Sequence, residues 1–374
     1  MMMIHSLKNS ILFVNKNSYL VLLACFLFLL LSSCNKPRYL FEVKELNFLN
    51  GSDTILTGTK VDLDVLAMDE VIVSDSLLII TSKDPNGYIK IFNKYTNDSL
   101  LYILKEGRAR NETKSPITSS KQVYYKGNDL ILPMWDSNDR LMEVNITGSL
   151  RSGRTEIGSV QESASFTRVR SVILNSDISN TFDYQKGGMD PIVTGKYILP
   201  KYFIRNGKKQ KEIKVFPSIV EFEEPDKQLG LYFGCPYLNK QENIVVQPLQ
   251  YLNYILFFNL ESLECFAVHQ MNSKSFDDKL DMSYDYPMCF CDCVICDDFF
   301  ILLHKIVPKE KDEKAVYDKE IMLFDWNGSF LYSAILKEKV NSIGYDEERR
   351  VLYGLNRSKD IIYTYNIASI VDNI

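Results

Sequence analysis

The sequence predicts an all-β fold built from repeated antiparallel units, on three observations. The stretch from Leu77 to Leu104 reads as an apolar strand, a polar turn, an alternating strand, a second polar turn and a third strand. Period-two alternation bounded by Asp, Pro, Asn and Gly is typical of an antiparallel meander. The same unit recurs, degenerately, five more times, and no long amphipathic helix competes. The 22 Tyr and 21 Phe of the 374 residues also favour strands.

The six units share one ending: their alternating strand closes with a large apolar residue followed by a turn-former. These endings are Phe92-Asn93, Val144-Asn145, Phe216-Pro217, Phe258-Asn259, Phe324-Asp325 and Tyr365-Asn366. Each is preceded by an apolar strand; after the first unit these strands are Leu130–Leu132, Tyr197–Leu199, Ile244–Val246, Phe299–Leu303 and Val351–Tyr353. Two Asn-Gly pairs, at Asn206 and Asn327, predict hairpin turns because both central positions of a type I′ turn need a positive φ.

The step between units averages roughly 50 residues, within the range of four-stranded propeller blades. A meander cannot bury both faces alone, so neighbours must stack and the array must close. We therefore predict a six-bladed β-propeller of four-stranded antiparallel blades; the alternative, a pair of β-sandwiches, does not account for the regular repeat. Only seven residues follow Ile367, so the last blade lacks a fourth strand. We expect the mature N-terminal strand, Tyr39–Leu49, to supply it and close the ring.

Residues 1–33 are predicted to be a signal peptide. Lys8 and Lys16 form a positive region before the apolar run Tyr19–Leu31, which is short for a membrane-spanning helix. The run ends in Leu31-Ser32-Ser33-Cys34, which resembles a bacterial lipobox, so Cys34 is the expected lipidation site; Cys25 fits the same letters but is followed by more apolar residues. An ordinary signal peptide or a signal anchor is the alternative. Residues 34–38 would form a short lipid-anchored tether and 39–374 the propeller domain.

The net charge and the predicted cellular location limit which partners the protein can bind. Removing residues 1–33 takes away two Lys and no acid, which moves the formal net charge from −5 to −7. That balance argues against nucleic acid as a partner. We expect a membrane partner through the lipid, in the bacterial cell envelope and at the outer membrane, with the periplasmic side favoured because Asn35–Arg38 lacks an acidic run.

With the lipobox, the blade pattern and the stretch Leu104–Glu112, the chain resembles the TolB-like six-bladed propeller lipoproteins of the Bacteroidota, which are similar in form to NHL propellers. That stretch looks like the family's Gly-Arg-Gly-Pro-x-Glu loop, with Ala109 and Arg110 where Gly and Pro are expected. A second family-like stretch runs from Cys291 to His304. The resemblance implies a fold and an address; it implies no reaction.

Four cysteines lie within eight residues: Cys289, Cys291, Cys293 and Cys296. They could hold a soft metal such as Zn²⁺. On a regular strand the first three would point to one face and spread along it, so the favoured interpretation is an innermost blade strand with Cys as a small hydrophobe. Disulfides involving Cys235 or Cys265 are a third alternative.

Other chemistry-bearing residues are sparse. His269 and His304 belong to no metal or catalytic motif, and no Gly-x-Ser-x-Gly elbow exists. Two acidic clusters could contribute to a Ca²⁺ site, although solvated loops are the favoured interpretation. Their members are Glu221, Glu223, Glu224 and Asp226 in one, and Asp277, Asp278, Asp281 and Asp285 in the other. Trp135 and Trp326 could stack on sugars or pack in the blades.

The basic loop with Arg108, Arg110 and Glu112 is the candidate ligand-binding loop, since Arg can fork onto a carboxylate or phosphate. From these features we predict a binding scaffold that takes a peptide, glycan or protein partner at one face of the ring, without a cofactor and without enzymatic activity. The alternative is a metal-dependent propeller hydrolase or lactonase, which would require Zn²⁺ or Ca²⁺ held by groups converging on the axis. A purely structural envelope component is a third possibility.

Overall fold

The computed structural model describes residues 39–49, 53–84, 86–109, 111–137, 140–162, 171–185, 188–189, 196–216, 219–221, 233–273, 275, 288–306 and 319–374. Residues 40–374 form one compact unit. Across these ranges the chain is nearly all β, with two short helices, α1 (Ile146–Ser152) and α2 (Ala368–Val371). No helix among them is long and apolar enough to cross a bilayer.

Six antiparallel blades follow three short N-terminal strands, β1 (Glu42–Leu46), β2 (Ile55–Leu56) and β3 (Thr59–Val61). Blade 1 contains β4 (Met68–Ser74), β5 (Leu77–Ser82), β6 (Ile89–Asn93) and β7 (Ser99–Ile103). Blade 2 contains β8 (Ile117–Thr118), β9 (Tyr124–Lys126), β10 (Asp129–Trp135), β11 (Arg140–Asn145) and β12 (Ile157–Glu162). Blade 3 contains β13 (Ser171–Ile173), β14 (Asn180–Gln185), β17 (Lys201–Asn206) and β18 (Lys209–Ile213).

The second half of the ring repeats the pattern. Blade 4 contains β20 (Tyr237–Asn239), β21 (Ile244–Pro248), β22 (Tyr254–Asn259) and β23 (Cys265–Gln270). Blade 5 contains β24 (Phe290–Ile295), β25 (Phe299–Lys305), β26 (Lys319–Asp325) and β27 (Phe330–Leu336). Blade 6 contains β28 (Ser342–Asp346), β29 (Val351–Asn356), β30 (Ile361–Asn366) and β3. The predicted six-bladed β-propeller is confirmed.

Apolar side chains fill the wedge between each pair of neighbouring blades. Clusters of buried residues join blades 1 and 2, 2 and 3, 4 and 5, 5 and 6, and 6 and 1. Between blades 3 and 4, the rings of Phe182 and Phe258 lie 5.0 Å apart. Because alternate residues of each strand face opposite neighbours, every blade is buried on both sides. This explains the long apolar runs in the middle strands.

The ring is closed by a different segment from the one that the sequence predicts. β3 pairs antiparallel with β30 and completes blade 6. The segment Tyr39–Leu49 does have strand character, but its β1 adds a fifth, parallel strand to blade 4. β2 does the same at blade 5. Together β1 to β3 form an N-terminal strap along the outer edges of blades 4, 5 and 6, which covers unpaired strand edges. β3 is short and polar, so its sequence carries little strand signal.

The third predicted unit is also corrected. Tyr197 and Phe216 were expected to mark the two strands of a blade, yet blade 3 pairs β14 with β17. Tyr197 belongs to β16 (Lys196–Ile198), which forms a separate three-stranded sheet with β15 (Gly188–Met189) and β19 (Ile219–Glu221). This inserted sheet supplies strand-like sequence that imitates a blade. The hairpin at Asn206-Gly207 is confirmed between β17 and β18, and the one at Asn327-Gly328 lies between β26 and β27.

The two ends of the ring differ in the length of their connections. Turns from the first to the second strand of a blade are short, as at 75–76, 240–243, 296–298 and 347–350. The last strand of each blade ends, and the first strand of the next begins, at the opposite end; in sequence the connections between them include 104–116, 163–170, 214–236 and 271–289. We call the latter the long-connection end. It carries most of the sequence that the blades do not need for their own structure.

Candidate binding site at the ring axis

A cavity of roughly 240 Å³ lies where the innermost strands of all six blades meet. Most of its lining is aliphatic, and the polar exceptions are concentrated in blade 2. Its lining includes Val71, Val73, Val123, Val172, Val294, Ser120, Lys121 and Tyr237. Concave, largely apolar cavities with few convergent polar groups are typical of small-ligand sites.

The innermost strand of blade 2 is interrupted by a tight turn, Ser119–Gln122, which we call the axial turn. Gln122 N donates to Ser119 O (3.0 Å), and the two central residues have positive φ, 54° at Ser120 and 53° at Lys121. Non-glycine residues in this region are strained, and such strain tends to persist where the surroundings fix it. Here Gln122 exchanges two hydrogen bonds with the Ile173 backbone, at 2.8 and 2.7 Å. The turn thereby projects Lys121 across the axis.

The Lys121 ammonium uses all three of its N–H donors inside the ring. It donates to Asp292 Oδ2 (2.5 Å) and Ile343 O (2.6 Å), and more weakly to Ser342 Oγ (3.4 Å). Its side chain is 7% exposed and that of Asp292 is 9% exposed. A lysine has three donors and no acceptor. Lys121 therefore links blade 2 to blades 5 and 6 and has no donor left over.

The Asp292 carboxylate is equally saturated. Oδ2 also accepts from Ile343 N (2.8 Å), while Oδ1 accepts from Cys293 N (2.9 Å) and the Tyr237 hydroxyl (3.3 Å). Four bonds match the acceptor sites of a carboxylate. Burial raises the pKa of Tyr237 well above its usual range, so this hydroxyl keeps its proton and donates. The pair of Lys121 and Asp292 is a closed unit.

Glu70 is the member of this cluster that is not saturated. Its Oε2 accepts from Thr118 Oγ1 (2.5 Å), and within the described ranges its Oε1 has no hydrogen-bond donor. Burial raises the pKa of Glu70 to about 7; Lys121 and Thr118 oppose this shift, and Asp292 adds to it. We call Glu70, Thr118, Lys121, Tyr237, Asp292 and Ser342 the axial cluster. Its members lie in five separate regions of the chain and share no motif, so the sequence alone does not indicate the cluster.

The axial cluster lies near the long-connection end. Tyr237 and Ser342 begin their innermost strands, and Glu70 and Asp292 are third in theirs. These strands start where the chain enters from the preceding blade. Side chains at the beginning of such strands are therefore close to the long connections.

The residues do not fit an axial metal ion. Zn²⁺ or Ca²⁺ would need several converging ligands. In the described part of the chain no group of three His, Cys, Asp or Glu converges in that way. Of the two carboxylates at the axis, Asp292 already binds the Lys121 ammonium.

The four clustered cysteines are divided between two blade interfaces. β24 has a register shift between Phe290 and Asp292, so the expectation that Cys289, Cys291 and Cys293 share a face is wrong. Cys289 and Cys293 pack among residues of blades 4 and 5. Cys296 and Cys291 pack toward blade 6. A β-bulge inserts one extra residue and moves the following side chain to the other face.

The thiols behave as small buried groups. Burial raises the pKa of Cys293 and Cys296 well above the usual range and that of Cys289 to about 12. The six cysteines in the described ranges, which include Cys235 and Cys265, form no disulfide with one another. Neutral buried thiols are inert as nucleophiles.

The predicted binding loop uses one of its members for its own structure. Glu112 Oε2 accepts from Ala109 N (2.9 Å), and a Cβ at Gly107 would stand 1.8 Å from that oxygen. This contact explains why glycine occupies position 107. Arg108 is exposed, and Arg110 lies outside the described residues. Glu112 therefore closes the loop on itself, and Arg108 stays exposed.

Several other candidate residues lie outside the described residues, and two lie in the core. Cys34, Glu223, Glu224, Asp226, Asp277, Asp278, Asp281 and Asp285 lie outside the described residues. Trp135 and Trp326 are 8% and 6% exposed, so neither offers a stacking surface. Trp326 Nε1 instead donates to Asp297 O (2.8 Å).

His269 has partners that the sequence did not reveal. Its Nδ1 lies 2.9 Å from Glu45 Oε1 and its Nε2 lies 2.8 Å from Ser273 Oγ, an order that resembles a catalytic triad. However, Ser273 Oγ also donates to Gln270 O (2.8 Å), so its proton is already used. His269 pairs through Nδ1 with the Glu45 carboxylate. We call this contact, which fixes β1 to blade 4, the strap clasp.

His304 is likewise a buried structural residue. Its Nδ1 lies 3.0 Å from Glu320 Oε1 on the neighbouring strand. The pair is covered by Phe290, whose ring lies 5.4 Å from the imidazole. Neither histidine lines the axial cavity.

Comparisons with known proteins give no family. No protein-family model and no curated protein matches the chain. Among solved structures, a Bacteroides fragilis NCTC 9343 protein provisionally described as exported shows 13% identity and a TM-score of 0.49, over 87% of this chain and 97% of that one. The Myceliophteria thermophila Cps50 (Swd1) β-propeller domain shows 9% identity and a TM-score of 0.41, over 83% of this chain and 98% of that one. Chaetomium thermophilum Raptor shows 10% identity and a TM-score of 0.45, and this chain spans only 28% of the length of Raptor. At these values the likenesses carry no functional argument.

Proposed function

We propose that this propeller is a binding module that takes a small ligand, or the end group of a peptide, glycan or protein partner, into the axial cavity. The observation that carries the proposal is the cavity itself, whose lining includes Lys121 and Tyr237. Glu70 directly precedes the lining residue Val71, is partly buried, and accepts one hydrogen bond in the described ranges, at Oε2. A carboxylate with free acceptor sites next to a largely apolar cavity can accept a hydrogen bond from a ligand or from water.

The size of the cavity limits the ligand. Roughly 240 Å³ is at or just below the lower end of the range for small-molecule sites. A single sugar, an amino acid or one side chain would fit, whereas a long peptide would have to lie over the long-connection end and insert one group. Arg108 in the connection 104–116 would then be a candidate contact for the remainder of such a partner.

We further propose that the protein is lipid-anchored at Cys34 in the cell envelope, as the TolB-like propeller lipoproteins are expected to be. The support is the sequence Leu31-Ser32-Ser33-Cys34 after an apolar run. Expression of the full chain in a bacterial host, with labelling by radioactive palmitate, tests this directly. The wild type should be labelled and sediment with outer membranes, and Cys34→Ser should lose the label. A labelled Cys34→Ser protein would exclude this position.

The axial site is tested by filling it. Val123→Phe would add a ring to the cavity from the side of the axial turn, and Tyr125→Phe, an exposed position in the same blade, is the matched control. The full chain in detergent is screened by thermal shift against free amino acids, dipeptides and monosaccharides, and hits are measured by calorimetry. A hit lost in Val123→Phe and kept in Tyr125→Phe supports the axial site. A hit that both variants keep would move the binding site elsewhere.

A further inference from the structure

Glu70 is the open position in an otherwise closed hydrogen-bond network. Lys121 has three acceptors for three donors, and Asp292 has four donors for four acceptor sites. Glu70 receives one bond, from Thr118. Lys121 is near enough to lower its pKa, yet among the described residues it makes no ion pair with Glu70. Any donor for Oε1 must come from outside this network.

The charge count points to a positive donor. The axial cluster contains two carboxylates and one ammonium, so with Glu70 ionised it has one uncompensated negative charge. The other acid facing Glu70 is Asp69, and it already lies near two exposed cations, Arg357 (3.3 Å) and Lys83 (3.7 Å). Tyr237 remains neutral. A carboxylate in a partly desolvated site favours a cation over a neutral hydroxyl.

The cavity limits what can carry this cation. Glu70 directly precedes the three residues of β4 that line it, Val71 to Val73. Across the cavity lie further aliphatic side chains from blades 3 and 5, Val172 and Val294. Such walls favour an aliphatic stem, and a charge-assisted hydrogen bond is stronger in a partly desolvated cavity than in water.

We propose that the axial cavity binds a protonated alkylamine, whose N–H donates to Glu70 Oε1 while its aliphatic stem packs against the valines. This inference rests on the proposed function of the cavity as a ligand site and names the class of ligand. The amine belongs either to a free small molecule or to the lysine side chain of a partner. Both sources present the same group, and the experiment separates them.

The test is isothermal titration of the full chain in detergent with two matched pairs of probes. The free pair is 1-aminopentane and 1-pentanol; the peptide pair is Gly-Lys-Gly and Gly-norleucine-Gly. We expect the amine of at least one pair to bind at least about tenfold more tightly than its neutral partner, because a charge-assisted hydrogen bond is lost in the latter. Binding of the free amine alone identifies a small molecule, and preference for the peptide identifies a lysine side chain.

Two variants locate the effect. Glu70→Gln keeps the shape and removes the charge, so it should abolish the preference for the amine. Glu264→Gln, an exposed position at the opposite end of the ring, should retain it. Affinity for the amine should also rise by roughly tenfold or more from pH 5.5 to pH 8, because Glu70, with its pKa of about 7, must lose its proton to bind a cation. Glu70→Gln should flatten that dependence.

The outcomes separate this inference from the proposed function. If pentanol and norleucine bind as well as their amine partners, and Val123→Phe removes all four, the cavity is a ligand site and the amine proposal is overturned. If no probe binds at millimolar concentration while another compound binds in a way that Val123→Phe abolishes, the amine proposal is overturned and the proposed function of the cavity stands. If Glu70→Gln leaves the preference for amines intact, the cation site lies elsewhere.

Discussion

Among the described residues, two lysine–aspartate pairs have both side chains buried, and they occupy different settings. Lys94 and Asp346 join blades 1 and 6 at 2.9 Å, with side chains 3% and 1% exposed. They lie beside the short turns, next to the joint that β3 closes. Lys121 and Asp292 join blade 2 to blade 5 across the axis, with 7% and 9% exposure. The first pair fills an interface between neighbours, whereas the second borders a cavity.

The two pairs also differ in how many hydrogen bonds their carboxylates accept. Asp346 Oδ2 is buried without a hydrogen-bond partner in the described ranges, while Asp292 accepts four bonds. Lys94 has a second, exposed acid in Glu348 (3.2 Å). Around Lys121 the second acid is Glu70, which makes no ion pair there among the described residues. The difference indicates that the blade 1–6 pair serves stability, whereas the axial pair shapes a site and leaves one carboxylate available.

The largest effect should come from breaking the blade 1–6 pair. Lys94→Met leaves Asp346 charged in a dry interface, and removing one partner of a buried pair costs about 3–5 kcal/mol. Chemical denaturation should show this loss in the free energy of unfolding. The double variant Lys94→Met/Asp346→Leu should recover much of it, because no unpaired charge remains. Equal stability of the single and double variants would contradict this account.

Breaking the axial pair should cost less, about 2–4 kcal/mol, because its side chains are 7% and 9% exposed, against 3% and 1% in the blade 1–6 pair. Lys121→Met is the test, with Lys121→Met/Asp292→Asn as the rescue. In the same samples, Lys121→Met should bind the amine probes more weakly, because the axial site loses its order. Lys94→Met, measured under conditions in which it is folded, should bind them as the wild type does. If both lysine variants reduce binding equally, the division between the two pairs is wrong.

The two settings also explain what the sequence could predict. Strand periodicity identified five of the six blades, since each β-strand carries its own alternating pattern, as in Ile89–Asn93. It failed at blade 3, where the inserted β16 has the same local pattern as a blade strand. Local pattern reports burial and period, but not which strand pairs with which.

The site was much harder to predict. Glu70, Lys121, Tyr237 and Asp292 are contributed by four blades, and only closure of the ring brings them together. Lys121 reaches the axis through a turn with two positive φ values at Ser and Lys, neither of which has a turn-specific sequence signal. Conversely, the cysteine cluster was conspicuous in sequence, yet a single bulge at Cys291 divides it between two interfaces. Its spacing could not reveal the bulge.

Glu70 provides a pH test of the axial setting. Its pKa rises from about 4.5 when unfolded to about 7 in the ring, so the native state holds its proton more tightly. Its contribution to stability is therefore greatest below the unfolded value and is lost as pH rises from about 4.5 through 7. Since Glu70 is half-buried, we expect Glu70→Gln to gain about 1–2 kcal/mol relative to wild type between pH 5 and pH 8.

Denaturation curves at the two pH values measure this difference. Glu264→Gln controls for the loss of one exposed acid. A variant that functions worse and folds more stably would match the behaviour of a site that retains an unfavourable group for binding. A Glu70→Gln protein with unchanged or reduced stability at pH 8 would show that water or a neighbour already satisfies this carboxylate.

The smallest effect should come from the strap clasp, which tests how exposure reduces the value of an ion pair. Glu45 is 50% exposed although its partner His269 is 3% exposed. Glu45→Gln should cost about 0.5–1 kcal/mol, as exposed pairs do. Hydrogen exchange is the sharper measurement: the β1 amides should exchange faster while those of β3 stay protected, because β3 is held separately by β30. Glu42→Gln, on the same strand and exposed, is the control. Faster exchange in β3 as well would mean that the strap detaches as one unit and that the clasp, despite its exposure, governs ring closure.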